Sequence, residues 1–381
     1  MTHAGLTIGH VITGFDTGGA ERILLKTVQR LDPHRFHSFV VSLRPPGPLS
    51  PEAVRSGVEV IHLKSGHRPG PSTIWQLARL FSKRQVAIAH AYLYDASIAT
   101  RIAGRIAKVP VVITSTRASL SYLPRIAWWL DRATTPWCRK VVAVSQGTAD
   151  FVVEQERIPR EKVVVIPNGV DLQRFQPRDR VRARKHLSVA GDAFVVVCIG
   201  RLHPQKGHRY LFQALAGICS LIPGLTCLIA GEGPLRSELE AQVRQLDLGA
   251  VCRFLGMVDP IEPLYDAADV TVLSSLYEGM PNVVLEAMAM GCPVIATNVA
   301  GSVELVEVGV TGLLVPPADV HSLGGALLEL ANDPKRLVAM RAAARAAAER
   351  SHDFERMVGA LETLYATEWE NAMGAGKAGY A

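Results

Sequence analysis

Residues 274–301 read SSLYEGMPNVVLEAMAMGCPVIATNVAG and follow an apolar run at Val270–Leu273. The run predicts a buried strand, and the turn at Glu278–Gly279 with Pro281 after it predicts the start of a short helix. A further apolar run, Cys292–Ala296, predicts the next strand. The stretch therefore reads as a strand, a turn, a helix and a second strand.

Two carboxylates mark this stretch. Glu286 is the only ionisable acid within residues 279–297, on a helix that is otherwise nearly all apolar. Burying it without a partner would cost roughly several kcal/mol, so it caps local backbone or receives a polar ligand. Glu278 lies eight positions earlier, near a helix start that favours anions. The pattern suits a ligand with sugar hydroxyls and phosphates, while a helix cap with a surface glutamate is the plain alternative. The helix start offers the backbone N–H groups of Met280, Asn282 and Val283.

The composition predicts two globular domains. The chain has 381 residues, and no apolar run approaches the roughly 18 residues of a membrane span. The N-terminal sequence MTHAGLTIGH shows no signal peptide. The six cysteines form no C-x-x-C pair, so we interpret them as reduced thiols of a cytoplasmic protein rather than metal ligands.

The net charge of +6 is unevenly distributed. Residues 1–165 carry 22 Lys and Arg against 11 Asp and Glu, a net charge of +11, whereas the remainder carries 19 against 24, a net charge of −5. A basic half predicts an anionic partner such as a membrane surface, a phosphate-bearing lipid or nucleic acid. The alternative is a basic surface that only keeps the protein in solution and binds no particular partner.

The first half alternates short apolar runs with helical segments, which predicts a parallel sheet with helices on both faces. After a strand over 5–13, the loop GFDTGGAER opens a helix. Gly18 and Gly19 suit a phosphate-facing loop or a turn that needs glycine for steric reasons. Because the loop is not G-x-G-x-x-G, a dinucleotide oxidoreductase is disfavoured. His90 ends a predicted strand, where ligand groups or a structural histidine can lie.

Residues 120–140, LSYLPRIAWWLDRATTPWCRK, place three of the five Trp among basic residues. On a helix over 123–137, one side would be apolar. Such a stripe more often packs into a core, although a basic helix with Trp can lie in a membrane interface. The residues on that side are Tyr122, Ile126, Trp129, Leu130 and Trp137.

A charged, Pro-containing stretch at 163–185 predicts the domain junction. The second domain then opens with a strand at Ala193–Gly200 that lacks alternation and is therefore buried on both faces. RLHPQKGHRY follows it, and a Lys at a helix start is disfavoured by the helix dipole unless an anion is bound. Arg201 and Lys206 are therefore candidate anion ligands, with an exposed basic loop as the alternative.

The combined pattern resembles the donor site of glycosyltransferase family 4, the group 1 glycosyltransferases. The resemblance rests on Glu278-x7-Glu286, on PVIAT at 293–297 and on IPNGVD at 166–171, which is similar to the inter-domain hinge of the family. It implies the α/β architecture called GT-B, with two facing Rossmann-like domains, an inter-domain cleft and a C-terminal helix that crosses back to the first domain.

The implied domains are an acceptor-binding domain, residues 1–180 plus the helix at about 354–372, and a nucleotide-sugar donor-binding domain, residues 190–353. The implied reaction is transfer of a hexosyl unit from a nucleoside-diphosphate sugar, such as a UDP-sugar, to an acceptor hydroxyl. It would proceed with retention and without a metal, in polysaccharide, cell-envelope or glycolipid biosynthesis.

The resemblance also implies residue roles. Arg201 and Lys206 would hold the diphosphate and, with Glu278 on the transferred sugar, form the catalytic group. Glu286 would accept the ribose hydroxyls. Further donor contacts are implied at Gly18, Gly19, Gly231, Gly233, Met257, Val258, Gly279, Met280, Asn282 and Val283.

On the acceptor side the family often has a histidine where this chain reads TSTRAS, so Arg117 and His90 are the candidates here. No cofactor is implied beyond the co-substrate. The implied partners are the donor, a saccharide or lipid-linked acceptor and an anionic membrane, and the implied location is the cytoplasm or the inner face of its membrane. A nucleotide-sugar epimerase and a non-catalytic nucleotide-sugar-binding protein are the alternatives, and nucleic-acid binding is disfavoured because no basic-aromatic platform is present.

Overall fold

The computed structural model describes residues 5–16, 18–63, 65–66, 69–117 and 125–378. The chain divides into two compact units, Met1–Asn168 with Glu355–Ala381, and Gly169–Phe354. Each unit is built on a parallel sheet, which confirms the predicted α/β fold class with two domains.

The first unit contains a sheet of strand order β3-β2-β1-β4-β5-β6-β7, in which the recorded pairings are parallel. Its strands are β1 (Leu6–Ile12), β2 (Phe36–Ser42), β3 (Val60–His62), β4 (Ile88–Tyr92), β5 (Val111–Thr116), β6 (Lys140–Ala143) and β7 (Val163–Val165). Its first helices are α1 (Gly19–Arg30), α2 (Ser50–Arg55), α3 (Pro71–Lys83), α4 (Tyr94–Ala107), α5 (Arg125–Thr134) and α6 (Gln146–Glu154).

The second unit contains a sheet of strand order β10-β9-β8-β11-β12-β13, again parallel. Its strands are β8 (Val195–Ile199), β9 (Thr226–Ala230), β10 (Cys252–Gly256), β11 (Val270–Leu273), β12 (Val294–Thr297) and β13 (Gly312–Val315). Its helices are α7 (Arg180–His186), α8 (His208–Ile218), α9 (Arg236–Gln245), α10 (Glu262–Ala267), α11 (Asn282–Ala289), α12 (Ala300–Leu305), α13 (Val320–Ala331) and α14 (Pro334–Ser351).

The last helix, α15 (Phe354–Ala378), returns to the first unit, as predicted. Tyr365 on α15 is fully buried, and its hydroxyl lies 2.6 Å from Nδ1 of His90 on β4. Glu362 accepts a hydrogen bond of 2.8 Å from the backbone N–H of Asp32. The helix is therefore part of the core of the first unit although it is distant in sequence.

The strand order of each sheet reverses once, between β1 and β4 in the first unit and between β8 and β11 in the second. Open α/β sheets bind ligands beyond the carboxyl ends of the strands at such a reversal. In the second unit, the loops after β8 and β11 hold the predicted motifs RLHPQKG and SSLYEGMP. The fold therefore places these two motifs where a ligand is expected.

The domain boundary differs from the predicted one. Residues 169–180, which the sequence assigned to the first domain, belong to the second unit. Arg174 donates to Glu262 at 2.7 Å, and Arg180 donates to the carbonyl oxygen of Ala268 at 2.6 Å. These bonds attach the stretch after the junction to α10 and the start of β11.

The helix predicted over 123–137 is shorter than expected. α5 ends at Thr134, and a 3₁₀ turn, Thr135–Trp137, follows it because Pro136 has no backbone N–H for a continuing α-helix. Its apolar side is exposed, so core packing, the commoner outcome for such a stripe, is the wrong interpretation. Tyr122 lies outside the described residues. The exposed side chains are Ile126, Trp129, Leu130 and Trp137.

Candidate functional site

The loops that follow β8 and β9 touch backbone to backbone. The N–H of Leu202 donates to the carbonyl oxygen of Glu232 at 3.0 Å. A methyl group on Gly231, whose φ is +135°, would lie 2.0 Å from the carbonyl oxygen of Gly200, and one on Gly233 would lie 2.3 Å from that of Leu202. The two predicted glycines are therefore required by the close approach of these loops, whatever they contact in a ligand.

The loop after β8 concentrates positive charge. Arg201 is exposed and forms no ion pair with any residue that the structure describes. Lys206 ends a 3₁₀ turn, Pro204–Lys206. The pKa of His203, between them, is lowered by partial burial and then by the charges of Arg201 and Lys206. An anion at this edge would meet two permanent cations.

Lys206 contacts Glu278 directly. Its Nζ lies 2.5 Å from Oε1 of the Glu278 carboxylate, and the hydroxyl of Ser275 donates to the same oxygen at 2.7 Å. The side chain of Glu278 is 9% exposed and that of Lys206 is 20% exposed. Within the described residues, the hydrogen bonds of Glu278 are made by Oε1, so Oε2 can accept a hydrogen bond from a ligand. The structure thus brings together two predicted residues that are 72 positions apart.

Hydrogen bonds tie the loop after β11 to the loop after β8. The hydroxyl of Ser274 donates to the carbonyl oxygen of Lys206 at 2.9 Å, and the N–H of Leu276 donates to that of Gln205 at 2.7 Å. Gly207 has φ +63°, and a methyl group on it would lie 2.1 Å from the carbonyl oxygen of Ser274. Sequence reasoning missed these positioning contacts, because only the pairing of β8 with β11 makes the loops neighbours.

The start of α11 differs by one residue from the prediction. Pro281 is the N-cap with ψ 112°, so the helix begins at Asn282 rather than at the proline. A methyl group on Gly301 would lie 1.9 Å from the carbonyl oxygen of Gly279 and 2.6 Å from Cα of Met280. The turn that precedes α11 therefore rests directly on the backbone of Gly301.

Glu286 is half-buried on α11 and has a partner that the sequence did not indicate. The hydroxyl of Tyr265, on α10, donates to Oε2 of Glu286 at 2.8 Å. Burial, followed by the charge of Glu286, raises the pKa of Tyr265 well above its usual value. Arg174 also interacts with Glu286. The pKa of Arg174 is raised first by its hydrogen bond to Glu262, then by the charge of Glu262, and then by the charge of Glu286. No local signal predicts a bond between two helices that are separated by a strand.

The remaining predicted donor residues of the second unit lie beyond β10. Gly256 ends that strand with φ +70°, and its carbonyl oxygen accepts from the N–H of Gly231 at 2.8 Å. Met257 is exposed and Val258 is half-buried. An exposed Met beside the glycine loops offers an apolar surface at the end of this strand.

In the first unit, Gly18 caps α1 and Gly19 begins it. A methyl group on Gly18 would lie 2.2 Å from Oε2 of Glu21, a buried residue in the first turn of the helix. The start of α1 therefore already lies against a carboxylate of the protein itself. Glu at the third helical position is one half of a capping box, here without the Ser or Thr at the N-cap, and the sequence analysis did not use this signal.

His90 is fully buried, and both of its ring nitrogens have partners. Nδ1 lies 2.6 Å from the hydroxyl of Tyr365, and Nε2 lies 2.8 Å from the hydroxyl of Ser115. Burial, followed by the charges of His10 and Arg117, holds the pKa of His90 well below its usual value. These contacts favour the structural role that was the alternative to ligand contact for His90.

Arg117 is half-buried after β5. Its guanidinium lies 5.2 Å from the centre of the Tyr92 ring and donates to Oδ1 of Asn168 at 2.5 Å. Its Nε is buried without a hydrogen-bond partner among the described residues. Burial lowers the pKa of Arg117, while Tyr92, Tyr365 and Glu21 act to raise it. A buried N–H without a partner makes Arg117 the stronger of the two acceptor-side candidates.

Within the described ranges, no group of three or more His, Cys, Asp or Glu side chains is arranged to hold a metal ion. All six cysteines carry free thiols, and five of them are buried.

Two family models match the chain. A model described as Glycosyltransferase Family 4 matches residues 17–174, and one described as Glycosyl transferases group 1 matches residues 193–333. The second match covers the loops after β8, β9, β10 and β11.

Curated relatives match over nearly the whole chain. The UDP-Gal:alpha-D-GlcNAc-diphosphoundecaprenol alpha-1,3-galactosyltransferase of Escherichia coli is 28% identical over 87% of this chain and 89% of its own length. The putative glycosyltransferase EpsF of Bacillus subtilis is 28% identical over 93% of this chain and 95% of its own.

Solved structures share the fold. Anabaena Alr3699/HepE in complex with UDP and glucose matches with a TM-score of 0.86 and 24% identity, over 94% of this chain and 99% of that one. The sucrose-phosphate synthase of Thermosynechococcus elongatus matches with a TM-score of 0.82 and 21% identity, over 96% of this chain and 100% of that one.

Proposed function

We propose that this chain, a glycosyltransferase of the GT-B type, transfers a hexosyl unit from a nucleoside-diphosphate sugar to an acceptor hydroxyl with retention. The chain joins a Glycosyltransferase Family 4 domain to a group 1 glycosyl transferase domain. The observation that carries the proposal is the contact of Lys206 with Glu278 at the strand-order reversal of the second unit. It sets a cation for phosphate beside an acceptor for sugar hydroxyls.

Leaving-group stabilisation is the main catalytic task. The anomeric C–O bond to the diphosphate breaks, and negative charge accumulates on the departing phosphate oxygens. Fixed donors aimed at such charge lower the barrier. We assign this role to Arg201 and Lys206, with the backbone at Asn282 and Val283 at the start of α11. Because these groups carry the charge, the proposed reaction needs no metal.

The acceptor oxygen would bond to the anomeric carbon on the face that the diphosphate leaves. The acceptor proton would pass to the departing phosphate oxygen, so no side-chain base is needed. Glu278 would accept hydrogen bonds from hydroxyls of the transferred sugar through Oε2, since its Oε1 already accepts hydrogen bonds from Lys206 and Ser275.

The donor that we propose is a UDP-sugar. A neighbour of the same fold binds UDP and glucose, and the Escherichia coli relative is a UDP-Gal-dependent enzyme by its name. The acceptor that we propose is a saccharide or a lipid-linked saccharide in cell-envelope or polysaccharide biosynthesis, because that relative acts on a diphosphoundecaprenol-linked sugar. Such an acceptor would suit a cytoplasmic protein in peripheral contact with the inner face of the membrane.

A panel of UDP- and GDP-sugars, scored by release of the nucleoside diphosphate with and without a lipid extract, tests the function. We expect release from one UDP-sugar that the lipid extract accelerates, together with a sugar-labelled lipid. Conversion of the donor to its epimer without release would support the epimerase alternative. Donor binding without conversion under every condition would support the non-catalytic alternative.

The hydrogen bond from Tyr265 to Glu286 gives a separate prediction. Tyr265→Phe removes one hydrogen bond to a charged group, worth about 1.5–3 kcal/mol, so the carboxylate that is proposed to bind ribose loses one of the contacts that orient it. We expect KM for the donor to rise about tenfold or more while kcat changes little. Steady-state kinetics at varied donor concentration measure this split. A fall in kcat at unchanged KM would contradict the assignment, because Glu286 is proposed to bind the donor equally in the ground state and in the transition state.

A further inference from the structure

α5 and the turn after it expose an apolar surface. The exposed fractions are 62% for Ile126, 64% for Trp129, 39% for Leu130 and 43% for Trp137. Ile126, Trp129 and Leu130 share one face of the helix because they are spaced three and four positions apart. We call these four side chains the α5 surface.

The opposite face of α5 is anchored to the core. Arg101 on α4 is 2% exposed and donates to Oδ1 of Asp131 at 2.7 Å and to Oγ1 of Thr114 at 3.0 Å. The hydroxyl of Tyr94 donates to the carbonyl oxygen of Ala127 at 2.7 Å. Trp129 precedes Asp131 by two positions and therefore lies about 200° around the helix from it. The buried ion pair thus fixes the rotation that turns the α5 surface outward.

Exposed cations on α4 and α5 accompany the α5 surface. Asp131 is the only acid within residues 125–140, and its charge is buried in the ion pair with Arg101, whereas Arg132 is exposed. Arg105 and Lys108, at the end of α4, are exposed and follow Arg101 by four and seven positions. Arg105 therefore lies on the same side of α4 as Arg101, and Lys108 caps the end of α4, which packs against α5 and against the turn that carries Trp137.

We propose that the α5 surface docks on an anionic lipid bilayer, with its apolar side chains among the headgroups and Arg105, Lys108 and Arg132 against the lipid phosphates. Trp side chains favour the membrane interface, and each Lys or Arg near an anionic leaflet adds to the attraction. None of the helices within the described residues is long and apolar enough to cross a membrane. The contact would therefore be peripheral.

A lipid surface fits better than a second copy of the chain. A two-fold contact would set the same basic rim against itself, and like charges repel. Four side chains also fall short of the roughly 20–30 residues that each partner of a stable interface provides. The proposal rests on the proposed function, which includes peripheral membrane contact, and deepens it by naming the surface. Docking itself needs neither donor nor acceptor, so a failure to dock is distinguishable from a failure of sugar transfer.

Vesicle flotation of the full chain tests the proposal. Vesicles contain phosphatidylcholine alone or phosphatidylcholine with phosphatidylglycerol, and no substrate is added. We expect binding to the anionic vesicles that weakens as salt rises. Ile126→Ser with Trp129→Ser should reduce partitioning about tenfold or more, since both anchors lose apolar surface. Arg105→Glu with Arg132→Glu should reduce it similarly and flatten the salt dependence.

The matched control replaces exposed apolar residues elsewhere. Val181→Ser with Leu221→Ser, in the second unit, removes side chains that are 79% and 57% exposed and should leave partitioning unchanged. The unfolding temperature of each variant establishes that it folds. Equal binding to both vesicle types, or unchanged binding of the Ile126→Ser and Trp129→Ser variant, would overturn the proposal. So would a dimer by sedimentation that this variant converts to monomer, because the α5 surface would then bind a second copy.

Discussion

Replacing Lys206 with alanine is expected to lower kcat/KM for sugar transfer by about 10²–10³-fold, the loss typical when one fixed donor to a developing anion is removed. The physical reason is that Lys206 and Arg201 are the cations of the loop after β8, where charge would accumulate on the departing diphosphate. Steady-state release of the nucleoside diphosphate measures the effect. Arg209→Ala removes an exposed cation three positions away and should stay within about twofold of the parent, since surface changes are usually small in effect.

A double substitution separates the proposed role of Lys206 from a purely structural one. Lys206→Ala leaves the buried carboxylate of Glu278 without its cation, which could by itself disturb the site. Lys206→Ala with Glu278→Gln removes both charges and keeps a side-chain oxygen that can accept hydrogen bonds from the sugar. If Lys206 only neutralises Glu278, this double variant regains activity relative to Lys206→Ala. We expect instead that it remains about as inactive as Lys206→Ala, because the cation for the diphosphate is gone; recovery of transfer would refute the assignment.

Replacing Gly301 with alanine is expected to disrupt the same site without changing any charge. The added methyl group would lie 1.9 Å from the carbonyl oxygen of Gly279 and 2.6 Å from Cα of Met280, so backbone must move. Overpacking of this kind costs about 1–3 kcal/mol, and here it shifts the turn between Glu278 and the start of α11. We expect a lower unfolding temperature and a loss of transfer of about 10²-fold, as small misplacements in a catalytic site can produce.

Gly325→Ala is the control for Gly301→Ala. Gly325 lies within α13, where an added methyl group meets nothing within 4 Å. Alanine should therefore stabilise that helix by about 0.5–1 kcal/mol and leave transfer unchanged. Thermal unfolding and donor kinetics on both variants make the comparison. If Gly301→Ala kept the KM and kcat of the parent, the turn would not depend on close backbone contact at Gly301.

Residues that lie close together in sequence were predicted well. Strands such as Val270–Leu273 and Val195–Ile199 are buried on both faces, so their apolar runs were enough to identify them. Gly291 follows Met290, the C-cap of α11, with φ +60°, a conformation that glycine adopts without strain. The candidate residues Arg201, Lys206, Glu278 and Glu286 were recognisable from motif spacing, because each motif spans one strand end and its loop.

The partners of those residues were not predictable in the same way. The bond from Tyr265 to Glu286 joins two helices across a strand, and the contact of Gly301 with Gly279 joins two loops. The apolar stripe of α5 has the periodicity of a buried helix, yet it faces solvent. Periodicity reports that a helix has an apolar side but not what lies beside it.

The sequence by itself determined the order of strands and helices, the two-domain α/β class, and which side chains are candidates to bind sugar hydroxyls and phosphate, since these depend on neighbours along the chain. Only the tertiary structure decided that Lys206 pairs with Glu278, that His90 is buried between Tyr365 and Ser115, and that α5 turns its Trp outward. Each of these depends on which strands pair and which helices pack together, and such long-range contacts are set by the free energy of the whole fold rather than by any local pattern.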